Sequence, residues 1–394
     1  MNERMRLIMN TLMLKIKSEA VLCIAGAAAV ISMFFVPPSA DYLSYLDLRV
    51  LALLFCLMAV VAGAGEIGLF LKLSEKLLKR CRNTRSLSII LVMLCFFSSM
   101  WITNDVALIT FVPFAILLLT MAGQCRHLIH IIVLQTVAAN LGSMLTPVGN
   151  PQNLYLYTYY KTALWDFLLT MLPVTLLSLG LLLAAVILVI KKEPLNINLP
   201  AAGASGMEIK LQTAETSPVK IKKTSLAGLF YGCLFLLCLL SVLRIIDYRI
   251  TFLLVLLALL AFDRRILKKV DYPLLLTFVC FFLFVGNVGN IPAARAFLAG
   301  LLKGRELPVS VLVSQVISNV PAAVLLSSFT DNGKALLLGT NLGGLGTLVA
   351  SLASLISYKF YSRSEGARPL RYLGVFTVYN LLFLLLLSAF MYIF

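Results

Sequence analysis

The sequence predicts an all-α integral membrane protein with about nine transmembrane helices and two re-entrant helical hairpins. Of its 394 residues, 61% are hydrophobic and 13% are charged, and the mean hydropathy is +0.98. In soluble domains about a quarter of the residues are charged, so this composition excludes an ordinary soluble protein. At about 20 residues per spanning helix, the length leaves no separate soluble domain of any size.

Nine apolar runs are long enough to span a bilayer. They cover about residues 20–36, 48–71, 130–160, 166–190, 225–245, 250–266, 272–292, 335–358 and 371–394. The basic N-terminus leads into the first run without an evident small-residue cleavage site, which predicts a retained helix and not a cleaved signal.

Two further apolar stretches, 86–121 and 308–330, are interrupted by polar residues at Thr103-Asn104-Asp105 and Ser318-Asn319. Each predicts a hairpin whose polar turn lies inside the membrane. A hairpin of this kind returns to its starting side, so the predicted topology is unaffected by how deeply it dips.

Positive charge predicts a cytoplasmic N-terminus. With that orientation, 25 of the 33 Lys and Arg residues fall in cytoplasmic loops, and such an excess sets the orientation of membrane proteins. The net charge of +16 therefore indicates topology and not a nucleic-acid surface. We expect a multi-pass protein of the plasma (inner) membrane, with the lipid bilayer as its main partner.

The two halves of the chain resemble each other. ITNDVALITFVPF (102–114) aligns with ISNVPAAVLLSSF (317–329), and ANLGSMLTPVGN (139–150) aligns with TNLGGLGTLVAS (340–351). A third, weaker match lies on helices that run in opposite directions through the membrane. Inverted repeats with broken helices are the architecture of secondary transporters.

This symmetry divides the chain into five parts. We assign 1–46 to an N-terminal tail and first helix, 47–190 to the first repeat with a cytoplasm-facing hairpin, 191–224 to a cytoplasmic linker, 225–270 to connecting helices, and 271–394 to the second repeat with an outward-facing hairpin. The linker is rich in Ala, Gly, Ser, Thr and Lys, a composition typical of flexible segments.

Four polar breaks carry the candidate chemistry, at 103–105, 318–321, 142–153 and 341–347. Unpaired backbone in lipid costs several kcal/mol per group, so breaks persist where they line a cavity or a site. Amide and hydroxyl oxygens suit a partly dehydrated cation, and helix N-termini suit an anion. Small residues also mediate helix packing in membranes, and for the glycines of 341–347 packing is an equal alternative.

Asp105 is the strongest single candidate for a functional residue, because an acid at a membrane-buried tip is energetically costly and is functional by default. It would act as a cation ligand or proton carrier; the alternative is a structural bond to a neighbouring amide. Glu66 has two equal interpretations, a coupling role or a side chain that reaches the interface.

The predicted site combines both halves. Its cation-coupling residues are Thr103, Asn104, Asp105, Ser143, Thr146, Gly149, Ser318, Asn319, Asn341 and Gly343. Its substrate-binding residues are Asn104, Asn150, Asn153, Ser318, Asn319 and Thr347. We expect no metal site and no cofactor beyond Na⁺ or H⁺ as coupling ion, because the eight cysteines mostly lie in apolar runs without C-x-x-C spacing.

At TNDVAL (103–108), GSMLTPVGNPQNL (142–154), SQVISNVPAAVLL (314–326) and NLGGLGTLVASLASLIS (341–357) the sequence resembles the ion transporter superfamily. This group includes citrate and divalent-anion symporters, arsenite permeases and one class of sodium/proton antiporter. The resemblance covers about residues 20–394. It implies a scaffold part, a moving transport part with elevator-like movement, and a homodimer formed through scaffold helices.

In the dicarboxylate branch, a Ser-Asn-Thr motif at each hairpin tip holds sodium and substrate carboxylate. Thr103 and Asn104 match the first two positions of one motif, and Ser318 and Asn319 those of the other. Both third positions depart from it, Asp105 in one motif and Val320 in the other. Asp105 would repel a carboxylate unless protonated or paired with a cation, and Val320 cannot hydrogen-bond one. The resemblance therefore shifts toward the arsenite-permease and antiporter branches.

The expected function is secondary active transport of a small anion, a carboxylate or oxyanion, coupled to Na⁺ or H⁺. The alternatives are a Na⁺/H⁺ antiporter or an arsenite-type efflux permease without organic substrate and, from another class, an ion channel. An enzyme is not expected, because the chain lacks a His-Glu-x-x-His motif and other membrane-enzyme motifs, and it has two histidines.

Overall fold

The computed structural model describes residues 20–68, 81, 83–194 and 224–393. Within these ranges the regular elements are helices, and one isolated β-bridge links Asn83 to Pro194. The predicted all-α membrane architecture is therefore confirmed. The N-terminal tail and most of the predicted 191–224 linker lie outside the described residues.

The chain folds into two series of helices. The first contains α1 Ala20–Met33, α2 Tyr42–Tyr45, α3 Leu48–Glu66, α4 Thr84–Ile102, α5 Asn104–Met121, α6 Leu128–Ser143, α7 Pro151–Tyr159 and α8 Leu164–Val189. The second contains α9 Thr224–Val242, α10 Tyr248–Phe262, α11 Tyr272–Gly289, α12 Pro292–Leu302, α13 Glu306–Ile317, α14 Asn319–Ser327, α15 Gly333–Leu342, α16 Leu352–Ser362 and α17 Pro369–Ile393.

Each of the nine predicted apolar runs coincides with a helix or a pair of helices. In the described part of the chain, six helices are long and apolar enough to cross a membrane: α3, α4, α5, α8, α11 and α17. The runs predicted at 130–160 and 335–358 are each split into two helices, α6 with α7 and α15 with α16. Their polar centres are the predicted breaks.

The two hairpins differ in length. The first hairpin, α4 and α5, has arms of 19 and 18 residues, whereas the second, α13 and α14, has arms of 12 and 9. The arms of the first are long enough to cross a bilayer, yet its tip lies beside the broken helix, where the Asn104 N–H donates to Gly149 O at 3.1 Å. Helix α7 continues for nine residues past this break, so the first hairpin turns back before the far side.

Both hairpins turn through a single residue with positive φ. Thr103 has φ of 70° and ψ of 150°, and Ser318 has φ of 76° and ψ of 155°. Side chains other than glycine rarely adopt this region, and such residues persist where the surroundings hold them in place. The same strained turn at both tips supports the alignment of the two halves.

The hairpins open toward opposite ends of the molecule. A short 3₁₀ turn, Cys125–His127, leads from the open end of the first hairpin directly into α6. At the other end of the broken helix, the Tyr160 hydroxyl donates to Ser327 O at 3.1 Å and to Thr330 O at 2.9 Å, at the open end of the second hairpin. The broken helix thus joins the two mouths, as inverted repeats require.

Helix α6 forms the centre of the packing. All of its residues except His130 are buried, and it packs against α4, α5, α8, α16 and α17. At its end, a Cβ atom added to Gly142 would overlap the carbonyl oxygen of Phe96, and one added to the aligned Gly343 would lie 2.6 Å from Ser314 Oγ. Glycine lets each hairpin arm approach its broken helix closely.

Gly142→Ala should therefore destabilise the protein by about 1–3 kcal/mol, because the clash is with backbone that cannot rotate away. The measurement is the apparent melting temperature in detergent. Gly180→Ala in α8 is the matched control, since nothing lies within 4 Å of its added Cβ; it should leave stability unchanged or slightly raised. Equal effects of the two substitutions would contradict the close approach of α4 and α6.

Candidate functional site

Three of the four polar breaks supply side chains to one buried cluster, the asparagine cluster, formed by Asn104, Asn140, Asn150, Asn153, Asn341 and Ser351. Asn319, from the fourth break, lines a small cavity beside it. At its first-hairpin side, Asn104 Nδ2 donates to Asn140 Oδ1 at 3.1 Å. Asn140 Nδ2 reaches Gly344 O at 3.5 Å, in the break of the other half. All six residues are buried, so the breaks satisfy one another's polar groups inside the membrane.

On the other side of the asparagine cluster, Asn341 of the second half bonds two asparagines of the first half. Asn150 Nδ2 donates to Asn341 Oδ1 at 3.0 Å, and Asn341 Nδ2 donates to Asn153 Oδ1 at 2.6 Å. Asn150 also accepts from the Asn153 N–H at 2.9 Å and so caps α7. Pro151 follows at the first position of that helix, where its missing N–H has no cost.

The hydrogen bonds cross between the halves with two-fold symmetry. The alignment pairs Asn140 with Asn341 and Asn150 with Ser351. Asn150 donates to Asn341 Oδ1 at 3.0 Å, and in the mirrored contact Ser351 Oγ donates to Asn140 Oδ1 at 3.0 Å. In each half, the residue that precedes the second helix of the break, Asn150 or Ser351, thus donates to the other half. Its acceptor is the asparagine in the last turn of the helix before the break.

Backbone contacts at the two tips follow the same symmetry. The Asn104 N–H donates to Gly149 O at 3.1 Å, and the Asn319 N–H donates to Ala350 O at 3.0 Å. These four residues occupy aligned positions in the two repeats. Each hairpin tip is therefore pinned to the broken helix of its own half.

Two threonines hold the hairpins from the side. The Thr146 hydroxyl donates to Met100 O, and the aligned Thr347 hydroxyl donates to Gln315 O at 3.0 Å. Thr347 is exposed and does not line the cavity at the cluster. We infer that both threonines position the tips, although the sequence suggested ligand roles.

Two glutamine side chains link the hairpins to the broken helices. Gln135 Nε2 lies 3.3 Å from Leu91 O and 3.4 Å from Phe111 O, so it links both arms of the first hairpin. Gln315 Nε2 donates to Gly343 O and to Leu345 O, each at 2.9 Å. The Gln315 bonds supply partners to carbonyls that the second broken helix leaves free, whereas Gln135 bonds carbonyls within two continuous helices.

Two acceptor oxygens at the first tip are buried without a hydrogen-bond partner among the described residues. They are Asn104 Oδ1 and Asp105 Oδ1. A buried polar atom without a partner is rare and calls for a physical explanation such as an ion. Both side chains line a small cavity of about 10 Å³, room for about one water-sized sphere, together with Gln152, Asn319 and Ser351.

The structure brings most of the predicted site residues together. Asn104, Asn150, Asn153 and Asn341 belong to the asparagine cluster. Ser143 Oγ lies 3.2 Å from Asn150 Nδ2, and Ser318 Oγ lies 3.4 Å from Asn319 Oδ1. Asn319 and Asp105 line the small cavity. Thr103 forms the turn that joins the two arms. Gly149 contributes its carbonyl to the tip, and the Gly343 carbonyl accepts from Gln315.

The sequence prediction missed Asn140, Ser351 and the two glutamines. The alignment of Asn140 with Asn341 was a signal for the first, and that of Ser351 with Asn150 for the second. Glu66 lies elsewhere: it forms an ion pair with Lys269, and both side chains are about 40% exposed, 42% and 39%.

The sequence profile of the citrate transporter family matches residues 7–332. The chain belongs to the citrate transporter family. It is 32% identical to an uncharacterised transporter of Methanocaldococcus jannaschii over 86% of this chain and 88% of that protein. It is also 29% identical to the inner membrane protein YbiR of Escherichia coli, over 83% of each chain.

A more distant relative has a named cargo. The silicon efflux transporter LSI3 of Oryza sativa is 32% identical over 40% of this chain and 33% of that protein. Membership of the citrate transporter family makes the chain a multi-pass membrane transporter related to the ion transporter superfamily, as the resemblance implied. The asparagine cluster is the buried polar centre of this transporter.

If Asn150 and Asn341 stabilise the fold through their mutual bond, their alanine substitutions should be non-additive. We expect a coupling energy of about 0.5–3 kcal/mol between Asn150→Ala and Asn341→Ala, because the residues are in direct contact. The measurement is a double-mutant cycle on unfolding in detergent.

Asn332→Ala is the control for this cycle. Asn332 caps the same helix, α15, at its exposed start through the Ala335 N–H at 3.1 Å. Combined with Asn150→Ala it should be additive within about 0.3–0.5 kcal/mol. Additivity of Asn150→Ala with Asn341→Ala as well would refute the cross-half bond.

Proposed function

We propose that this protein is a secondary active transporter that moves a small anion, a carboxylate or oxyanion, coupled to Na⁺ or H⁺. The observation that carries the proposal is the meeting of four polar breaks at one buried cluster and the small cavity beside it, where Asn104 Oδ1 and Asp105 Oδ1 have no donor among the described residues. Family membership supports transport as such. The chemistry of the cluster supports the choice of cargo.

The cation part of the proposal rests on oxygen atoms. Unwound carbonyls and side-chain oxygens at helix breaks coordinate Na⁺ or H⁺ in secondary transporters. The unpartnered oxygens of Asn104 and Asp105 fit such a ligand, and they face the same small cavity. A membrane-buried carboxyl suits either cation binding or proton transfer.

The anion part rests on helix ends. Four helices begin at the breaks, α5, α7, α14 and α16, and their first residues Asn104, Pro151, Asn319 and Leu352 line the small cavity. Helix N-termini carry partial positive charge and free N–H groups, which favour anions. Apart from the Asp105 carboxyl, the residues that line this cavity are uncharged.

An elevator-like movement requires two bodies. We assign α3, α9, α10 and α11 with α1 to the scaffold, since α11 packs on α1 and α3 packs on α9 and α10. The hairpins and broken helices form the transport part. We further propose a cytoplasmic N-terminus, an inner-membrane location and a homodimer through scaffold helices, which the basic loops and the family resemblance support.

The rival within the same class is cation/proton exchange or arsenite-type efflux without organic substrate. Asp105 favours it, because a carboxylate beside the site repels an organic anion unless it is protonated or paired. The relative named as a silicon efflux transporter is similar over less than half of this chain. An ion channel would leave the inverted hairpins without a role.

Asn104→Ala and Asn319→Ala should each reduce the initial rate of gradient-driven uptake by about tenfold or more, the effect of losing about 1.4 kcal/mol of interaction. The assay is uptake of labelled citrate and other small carboxylates or oxyanions into proteoliposomes. Asn332→Ala is the control, since Asn332 is exposed and caps the start of α15 away from the cluster. Unaltered uptake by folded Asn104→Ala and Asn319→Ala protein would rule out this site.

Asp105→Asn should keep the protein folded and uncouple transport, because the amide is nearly isosteric but cannot carry the charge or exchange a proton. We expect substrate to equilibrate without accumulating against its gradient. Asp331→Asn, an exposed loop acid, should behave as the parent. A pH-sensitive dye identifies the rival: a Na⁺ gradient that moves protons without any anion, and stops in Asp105→Asn, would establish exchange in place of anion transport.

A further inference from the structure

A second, larger cavity lies between the helices assigned to the scaffold and those of the transport part. Its volume is about 570 Å³, and it opens at the membrane end where α3 begins. Tyr45, Tyr155, Tyr159 and Tyr248 line it. Cavities of about 300–1,000 Å³ are typical of small-molecule sites.

Three helices line both the small cavity at the asparagine cluster and this larger one. On α7, Pro151 and Gln152 line the small cavity, and Tyr155 and Tyr159 line the large one. Positions four residues apart lie on the same face of a helix and about 6 Å apart along its axis. The two cavities therefore face one continuous stripe of α7.

The same spacing recurs on the other two helices. On α14, Val320 lines the small cavity and Val324 the large one, which Ser328, directly after the helix, also lines. On α11, Leu274 lines the small cavity and Phe282 the large one. Three stripes of equal pitch thus run from the asparagine cluster to the open end of the large cavity.

One aromatic layer separates the cavities. Phe278 lies one turn from Leu274 and one turn from Phe282, and it is 1% exposed. Its ring centroid is 6.3 Å from that of Tyr155 and 5.9 Å from that of Phe282. The Tyr155 hydroxyl lies 2.8 Å from Ser327 Oγ, which fixes the ring across the stripe.

We propose that the two cavities are parts of a single transport route, that the large cavity is its vestibule, and that Phe278 and Tyr155 form the barrier between vestibule and site. This inference deepens the proposed function and rests on it for what passes through. The barrier couples the two bodies, because Phe278 is on the scaffold helix α11 and Tyr155 is on α7 of the transport part. Sliding one against the other would part the rings.

The vestibule suits a hydrated polar solute. Its charged side chains are already engaged: Asp47 accepts from the Val50 N–H at 3.0 Å, and Arg49 donates to Ser241 O at 3.3 Å. Tyrosine and serine side chains supply the remaining polar groups, among them Ser44 and Ser328. Such a lining can form hydrogen bonds to a small hydrated anion without binding it tightly, so the anion can pass through.

Thiol labelling tests the route without knowledge of the substrate. With the eight native cysteines replaced by alanine, Ser328→Cys reports on the vestibule and Val320→Cys, in the first turn of α14, reports on the site. A membrane-impermeant, negatively charged methanethiosulfonate is applied to intact cells and to inverted vesicles. Ser328→Cys should react from one side only, and from that side Val320→Cys should react at least tenfold more slowly.

Removing the barrier should abolish this protection. Phe278→Ala should raise the reaction rate of Val320→Cys at least tenfold from the vestibule side, with Phe278→Leu as a milder variant if the alanine form does not fold. Phe281→Ala, an equally buried ring on the same helix outside the contacts with Tyr155, should leave the rate unchanged.

Three outcomes would overturn the inference: Ser328→Cys unreactive from both sides, Val320→Cys as reactive as Ser328→Cys in the parent, or Phe278 substitutions with no more effect than Phe281→Ala. Because labelling reads access alone, a failure of the Asn104→Ala transport test would leave this result standing. The two hypotheses therefore fail separately.

Discussion

The structure depends on how backbone polar groups are satisfied where four helices break inside the membrane. Each unpaired N–H or C=O in lipid costs several kcal/mol, so breaks at this depth must be buried against other polar groups. Here the tips bond the break of their own half, and the breaks bond each other through Asn140, Asn150, Asn341 and Ser351. Close helix approach, strained turns and the buried cavity all follow from this requirement.

The same constraint explains where the helices approach one another most closely. Glycine occurs at the points where a hairpin arm must approach a broken helix, Gly142 beside Phe96 and Gly343 beside Ser314. Away from the breaks the helices are apolar and pack through ordinary side chains, and α8 and α17 bury a smaller share of their residues than the other long helices do. The polar contacts that define the site are concentrated in a thin layer at the centre of the molecule.

Much of this architecture could be predicted from the sequence, since a run that crosses lipid must be apolar and a polar interruption at mid-run must have partners. The nine runs, both hairpins and both broken helices follow from that rule. The facing of individual side chains could not be predicted. Thr347 is exposed, whereas Asn140, within α6, lies at the centre of the cluster, because the docking of the two halves decides which side chains near a break face inward.

The orientation of the cross-half bonds was also beyond sequence reasoning. The alignment paired Asn150 with Ser351 but gave no means to tell that each donates to the opposite repeat. That arrangement depends on how two inverted units are docked, a long-range property that local patterns do not encode. The short arms of the second hairpin had a local cause, since Arg305 and Glu306 interrupt the apolar run just before it.

The Tyr160 hydroxyl has a consequence for movement. It bonds two carbonyls at the mouth of the second hairpin, Ser327 O and Thr330 O, from the end of a helix that belongs to the first repeat. Helix α7 is therefore tied to the second repeat at both ends, through Asn150 and Asn341 at its start and through Tyr160 at its end. A movement of the second hairpin away from α7 would have to break the Tyr160 bonds, so we expect both halves of the site to move as one piece.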